Sequence, residues 1–170
     1  TIKTRKGDII VADDEYPRHG ATLDGMAKLR PAFEKDGTVT AGSASGINDG
    51  AAAVVLMTAK QAAKVGKKPL ARIVSTAVTG LSPEVMGHGP AEAIKLALKR
   101  AGKTHEDIDL FEINEAFASQ VLSSQRDVGF DIEKLNVSGG AIAVGHPFGM
   151  TGARITGTLM NNLQTYDKTF

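Results

Sequence analysis

Two short stretches of this chain hold residue types that can do chemistry. The first is residues 136–152, NVSGGAIAVGHPFGMTG, in which five glycines surround a single His-Pro step. His146 lies between Gly145 and Pro147. A residue before proline is pushed out of the α region, so the backbone at His146 should be extended and its ring should have one main direction. Gly139 and Gly140 permit a sharp turn or a close backbone approach. The apolar run 141–144 reads as a buried strand or a tight loop. A helix is expected to start at about Thr151, with Ile155, Leu159 and Leu163 on its apolar face. A helix N-terminus beside a fixed imidazole puts hydrogen-bond donors and a titratable base in one small volume. The plain alternative is a turn histidine or a satisfied core histidine. A phosphate cradle lacks its signatures here, namely the P-loop lysine and the Gly-x-Gly-x-x-Gly spacing.

The second stretch is Asn114-Glu115-Ala116-Phe117-Ala118. It falls between a predicted strand over 109–113 and a predicted helix over 116–128. Polar residues at the carboxyl end of a strand in an α/β unit face the ligand edge. The alternative is that Asn114 simply caps the helix. A third stretch, 38–50 (TVTAGSASGINDG), is made of small residues and would let a thin ligand lie against the backbone. Arg18, His19, Lys28 and Arg30 make the region before it basic. That suits either a solvated face or the phosphates of a nucleotide-like ligand.

The remaining elements must hold these stretches in place. A hairpin is expected over 2–11, turning at Lys6-Gly7-Asp8. Thr22 or Asp24 should cap a short helix carrying Leu23, Met26, Ala27 and Leu29, ended by Pro31. The continuous apolar run 51–57 reads as a buried strand. Thr58 should cap a helix over 59–65 that stops at Gly66, and a second strand should run from Pro69 through Thr79. A helix carrying Ala93, Ile94, Ala97, Leu98 and Ala101 should stop at Gly102. Thr104 and Asp107 have the spacing of a capping box.

The chain has 170 residues, 42% apolar and 23% charged, with a net charge of +1. That is an ordinary globular composition, with no global field to select nucleic acid or a membrane surface. No apolar run approaches the length of a transmembrane helix. The first residues do not read as a signal peptide, and the chain reads as starting internally. There are no cysteines. Disulfides, cysteine metal sites and a cysteine nucleophile within these residues are thereby excluded.

In this order, Asn-Glu-Ala-Phe-Ala followed by Gly-Gly and Gly-His-Pro, preceded by the small-residue loop, resembles the thiolases, the acetyl-CoA acetyltransferase family. The resemblance covers essentially the whole chain. It implies an α/β fold, the layered αβαβα thiolase architecture. Residues 1–47 would be the end of the loop domain, 48–68 the last strand and helix of the N-terminal half, and 69–170 most of the C-terminal half. It implies that His146 activates a nucleophile and that Asn114 holds an oxyanion-hole water. It places Arg18, Phe33, Ala41, Ser45 and Ile47 against coenzyme A, and Met86 in the acyl pocket. No metal and no cofactor beyond coenzyme A thioesters is expected. Ser43 stands where asparagine is common, Gly25 where serine is frequent, and His88 where a small or apolar residue is usual; His88 is taken as incidental. The family's two cysteines are expected outside this chain, one before Thr1 and one beyond Phe170. The implied reaction joins two acetyl-CoA molecules into acetoacetyl-CoA and coenzyme A, or reverses this. A thiolase for longer 3-ketoacyl chains, or an inactive coenzyme A-binding or association fragment, are the alternatives. A homodimer or homotetramer in the cytoplasm, without nucleic-acid or membrane partners, is expected of the complete enzyme.

Overall fold

Thr22 and Thr58 each end an extended stretch and turn a side-chain oxygen onto the first turn of a helix. The computed structural model, which describes residues 1–170, has α1 (Leu23–Ala27) and α2 (Ala59–Lys64) directly after them. The two hydroxyls accept from Gly25 N–H and Gln61 N–H, both at 3.1 Å. Each satisfies a donor that an open helix start would leave unpaired. α3 (Gly89–Ala101) begins with a proline in its first turn and ends at Gly102, whose φ of 65° is left-handed. α4 (Ala118–Val128) ends at Gly129 in the same way. The N–H of Thr104 donates to the Asp107 carboxylate at 2.9 Å, as the capping-box spacing predicts.

α3 and α4 pack against each other and enclose the core. Its members are Ala91, Phe111, Ile113, Val121, Val128 and Phe130, with Ile94, Ile108 and Leu135 against them. The rings of Phe111 and Phe130 stack, with centroids 4.0 Å apart and planes at 12°. The strand expected over 109–113 is reduced to a single bridge, Phe111 parallel to Leu135. The N–H groups of Asp109 and Leu110 both donate to the Phe170 carbonyl, at 2.7 and 3.0 Å. The chain end is thus fastened to the core-forming segment. A kinked pair of 3-10 turns at Pro83–His88 and single turns at His105–Asp107 and Ile132–Lys134 complete this part.

Several sequence expectations change. The hairpin is present as β1 (Ile2–Thr4) and β2 (Gly7–Ile9), paired antiparallel with Thr4 opposite Gly7. Its turn is therefore Arg5-Lys6, just before the expected one. The run Ala141–Val144 is neither strand nor loop but a single helical turn, α5. α4 starts at Ala118 with Phe117 at its N-cap, so Asn114 caps nothing.

The strands expected over 51–57 and 69–79 do not form, and neither segment makes a backbone-to-backbone hydrogen bond to another part of the chain. A strand exists only as one side of a ladder, and no other segment here offers the other side. The only sheet is the hairpin. The helices and extended segments alternate in the α/β manner, and without ladder partners among these residues the extended segments form no sheet beyond the hairpin. No helix is long and apolar enough to cross a membrane.

Candidate active site

The geometry at His146 assigns its tautomer. Its Nδ1 lies 2.7 Å from the hydroxyl of Thr151, the first residue of α6 (Thr151–Thr165). That hydroxyl donates its one proton to the Pro147 carbonyl at 2.9 Å. The threonine oxygen can then only accept, so Nδ1 carries the proton and Nε2 keeps its lone pair. Burial, and after it the positive charge of Arg154, hold the imidazole below its ordinary pKa. The ring is therefore neutral near pH 7, with a basic nitrogen directed away from Thr151. The Phe148 ring lies beside it, centroids 4.8 Å apart.

The small-residue loop joins this histidine to the Asn114 stretch. Ser43 accepts from Ala118 N–H at 2.8 Å, Ala44 bridges Phe117, and Ser45 N–H donates to the Ala116 carbonyl at 3.1 Å. The next residue, Gly46, accepts from His146 N–H at 2.8 Å. Consecutive residues thus touch the two motifs, which lie 32 positions apart in sequence (146 − 114). The Asn114 Oδ1 atom is buried and has no hydrogen-bond partner, and the same holds for Asn48 Oδ1. An unpaired buried acceptor gains most from a donor brought by water or a ligand. Asn48 packs so tightly on Gly145 (φ 94°) that any side chain at 145 would collide with its amide.

The expectation that the loop's bare backbone leaves room for a thin ligand needs correction at its glycines. The space beside Gly46 is filled by the Tyr16 ring, and that beside Gly50 by Pro147 and Met150. At these positions glycine is needed because the chain's own side chains seat on the loop. Of the expected ligand contacts, Phe33 and Ser45 come together at the start of α4. The Phe33 ring meets the Phe117 ring edge-on at 6.0 Å, and Ser45 Oγ faces the Ala116 carbonyl. Ala41 and Ile47 are exposed on the same loop. Arg18 is exposed in a turn closed by Ala21 N–H on its carbonyl. Met86 is 77% exposed. It belongs to the Pro83–His88 turn, beside a cleft of about 530 Å³ lined by Glu84, Val85, Gly87, His88, Ser119, Gln120 and Ser123.

His88 makes polar contacts of its own. Its Nε2 pairs with Asp127 at 3.0 Å and its Nδ1 faces the Ser123 hydroxyl at 3.4 Å. His88, Glu92 and Asp127 are spaced as metal ligands. However, the Lys95 ammonium lies 2.5 Å from Asp127 and 3.5 Å from Glu92, already occupying a cation's place. Hydrogen bonding to Lys95 is the main cause that holds the Asp127 carboxyl below its usual range. The pairs are largely exposed and contribute little to stability.

Sequence reasoning missed four supports. The Tyr16 hydroxyl accepts from Gly46 N–H at 2.6 Å and donates to the Ile142 carbonyl at 3.3 Å. Asn136, buried at φ 44°, exchanges two 2.9 Å bonds with the Ile113 backbone. Glu115 accepts from Asn136 and from Ile142 N–H. The Glu112 side chain is 2% exposed; it accepts from Asn162, which in turn accepts from Ser138, and so ties α6 down. Burial pushes the Glu112 carboxyl up, against the opposing charge of Arg154. Glu115 and Asn136 lie in the two stretches the sequence singles out, and asparagine tolerates a left-handed backbone better than most residues; Tyr16 and Glu112 left no local signal.

Comparisons with known proteins converge on one family. The model described as the C-terminal domain of thiolase matches residues 67–170, and that of the N-terminal domain matches residues 1–60. The acetyl-CoA acetyltransferase of Rhizobium meliloti (strain 1021) is 59% identical over 94% of this chain and 40% of that protein. The crystal structure of the Bacillus anthracis acetyl-CoA acetyltransferase superposes with a TM-score of 0.90 at 48% identity, covering 98% of this chain and 42% of that one. A human mitochondrial 3-ketoacyl-CoA thiolase in complex with CoA gives 0.83 at 44% identity, covering 91% and 39%. The chain therefore spans about 40% of the length of such relatives.

Proposed function

This chain belongs to the thiolase family and has its α/β fold, and from that premise we propose that it is part of an acetyl-CoA C-acetyltransferase. The complete enzyme would condense two acetyl-CoA molecules to acetoacetyl-CoA and coenzyme A, or run the reverse thiolysis. The observation that carries the proposal is the neutral His146, with Nδ1–H held by Thr151 and Nε2 free to take a proton.

The chemistry follows from the groups present. A thiol supplied by another part of the complete protein gives its proton to His146 Nε2, and the thiolate attacks the acetyl-CoA carbonyl. The tetrahedral oxyanion collapses, and coenzyme A leaves as the thiol with the proton that His146 returns. A base then removes a proton from the α-carbon of a second acetyl-CoA. The carbanion attacks the enzyme-bound acetyl group and expels the enzyme thiolate. Asn114, with its unpaired buried oxygen, holds a water that donates to the developing enolate oxygen. Arg18, Phe33, Ala41, Ser45 and Ile47 would contact coenzyme A, and Met86 the acyl group. No cofactor beyond the thioesters takes part in this scheme. The complex of the human relative with CoA supports this ligand class. A cytoplasmic homodimer or homotetramer completes the proposal.

The test is acetoacetyl-CoA thiolysis by the complete enzyme, by its His146→Ala variant and by these 170 residues alone. The complete enzyme should turn over. The Ala variant should lose on the order of 10²–10⁴ in kcat, and the 170 residues, having no cysteine, should be inactive. Normal kcat in the Ala variant, or turnover by the verified 170-residue chain, would overturn the assignment. Higher kcat/KM with long 3-ketoacyl-CoA substrates would assign the degradative specificity instead.

A further inference from the structure

We propose that Glu115 is the positioning residue that sets His146 relative to Asn114, by clamping the α5 turn onto the segment that carries Asn114. The inference rests on the function proposed above.

The carboxylate is used on both sides. Its Oε2 accepts from Ile142 N–H at 3.0 Å, and its Oε1 accepts from Asn136 Nδ2 at 2.9 Å. Ile142 lies in α5, four positions before His146, and Glu115 is the neighbour of Asn114. The Ile142 carbonyl is held as well, by the Tyr16 hydroxyl, which also takes the Gly46 N–H. Gly46 in turn accepts from His146 N–H. A helix of one turn cannot hold itself in water. These side chains, with Glu115 at the N-terminal end, are what hold it.

The steric record points the same way. A Cβ on Gly140 would collide with the Glu115 carboxyl group. Gly140 has extended backbone angles that any residue adopts (φ −151°, ψ −159°), so the turn does not need glycine there. The three atoms nearest to such a Cβ all belong to the Glu115 carboxyl group. Asn136 closes the arrangement, since the amide that donates to Glu115 also donates to the Ile113 carbonyl at 2.9 Å and accepts from Ile113 N–H at 2.9 Å. The Glu115 clamp is therefore anchored on the segment just before Asn114.

Small errors in such a clamp cost rate, because a base displaced by about 1 Å loses on the order of 10². The Asp variant is one methylene too short to reach both donors. The Gln variant turns an N–H toward one of them. In the complete enzyme, Glu115→Asp and Glu115→Gln should each lower kcat roughly 10- to 100-fold, with the KM for acetyl-CoA within about threefold. Gly140→Ala should show the same loss. The double variant Gly140→Ala/Glu115→Asp, where the shorter acid makes room for the methyl group, should recover part of it, and that non-additivity is the signature of direct contact. Nitrogen-15 spectra of His146 supply a readout independent of turnover. The parent chain should show the Nδ1–H form, and Glu115→Asp should shift its ring-nitrogen resonances as the ring moves relative to its neighbours. A Glu115→Asp variant with an unchanged His146 spectrum and normal kcat, or strictly additive losses in the double variant, would overturn the proposal. If the complete enzyme has no thiolase activity but the spectrum still moves, the functional assignment fails and the clamp stands.

Discussion

His146 shows how little of a catalytic histidine is the residue itself. Gly-His-Pro states that an imidazole is present and restrains its backbone. Which nitrogen is basic depends on Thr151, which spends its proton on Pro147 and so accepts from Nδ1. Burial first, and Arg154 second, lower the ring's pKa from the ordinary 6.5. The consequence is measurable by NMR titration of this chain. His146 should titrate below 6.5, and Arg154→Met should move its midpoint upward toward that value. The stability sign follows. A histidine with a folded pKa below its unfolded one takes up protons more readily when unfolded, so the native state loses stability as pH falls below 6.5. The loss levels off once pH has passed the folded value. A midpoint at or above 6.5, or one indifferent to Arg154→Met, would contradict this electrostatic picture.

Among the elements, the segments between helices are organised by side chains rather than by ladders. Asn136 is the clearest case: one buried side chain pairs with both backbone groups of Ile113 and with Glu115. Replacing it with alanine leaves a buried N–H, a carbonyl and half a carboxylate without partners. The left-handed backbone at φ 44° is also less suited to alanine. Asn136→Ala should therefore lower unfolding free energy by on the order of 3 kcal/mol in denaturant titration. A change under about 0.5 kcal/mol, the scale of ordinary surface substitutions, would show that water replaces these bonds freely. The stacked Phe111 and Phe130 rings sit one step away, and they fix the strand-like segment against α4 without a sheet.

For the whole molecule, surface area is the informative quantity. A folded monomer of 17.8 kDa is expected to expose roughly 8,000 Å². This chain exposes 12,503 Å² and buries only 16 of its residues. The excess includes apolar side chains on the two expected strands: Val55 is 82% exposed, Leu56 71%, Leu70 72% and Val78 90%. Unpaired backbone beside such side chains is a template for pairing with another chain. The 170 residues by themselves should bind a hydrophobic dye and show a sedimentation coefficient that rises with concentration. A dye-silent monomer over a hundredfold concentration range would contradict this.

Local chemistry by itself determined much of this protein. The threonine caps at 22 and 58, the glycine stop at 102 and the capping box at Thr104 each depend on a few adjacent residues, and each is present as expected. The two motifs, Asn114-Glu115 and Gly145-His146-Pro147, were equally legible, because their residue types and spacing are chemical statements. What depends on distant partners was decided by tertiary structure. Strand propensity over 51–57 and 69–79 cannot produce a strand where no ladder partner lies alongside. Asn114 reads as a helix cap in isolation, yet the Ser43–Ala118 and Ser45–Ala116 bonds start α4 later and leave its side chain free. The glycines of the small-residue loop face Tyr16 and Pro147 rather than open space. The tautomer of His146 and the grip of Glu115 on Ile142 need pairs of atoms from separate segments, and only packing brings such pairs within hydrogen-bond reach.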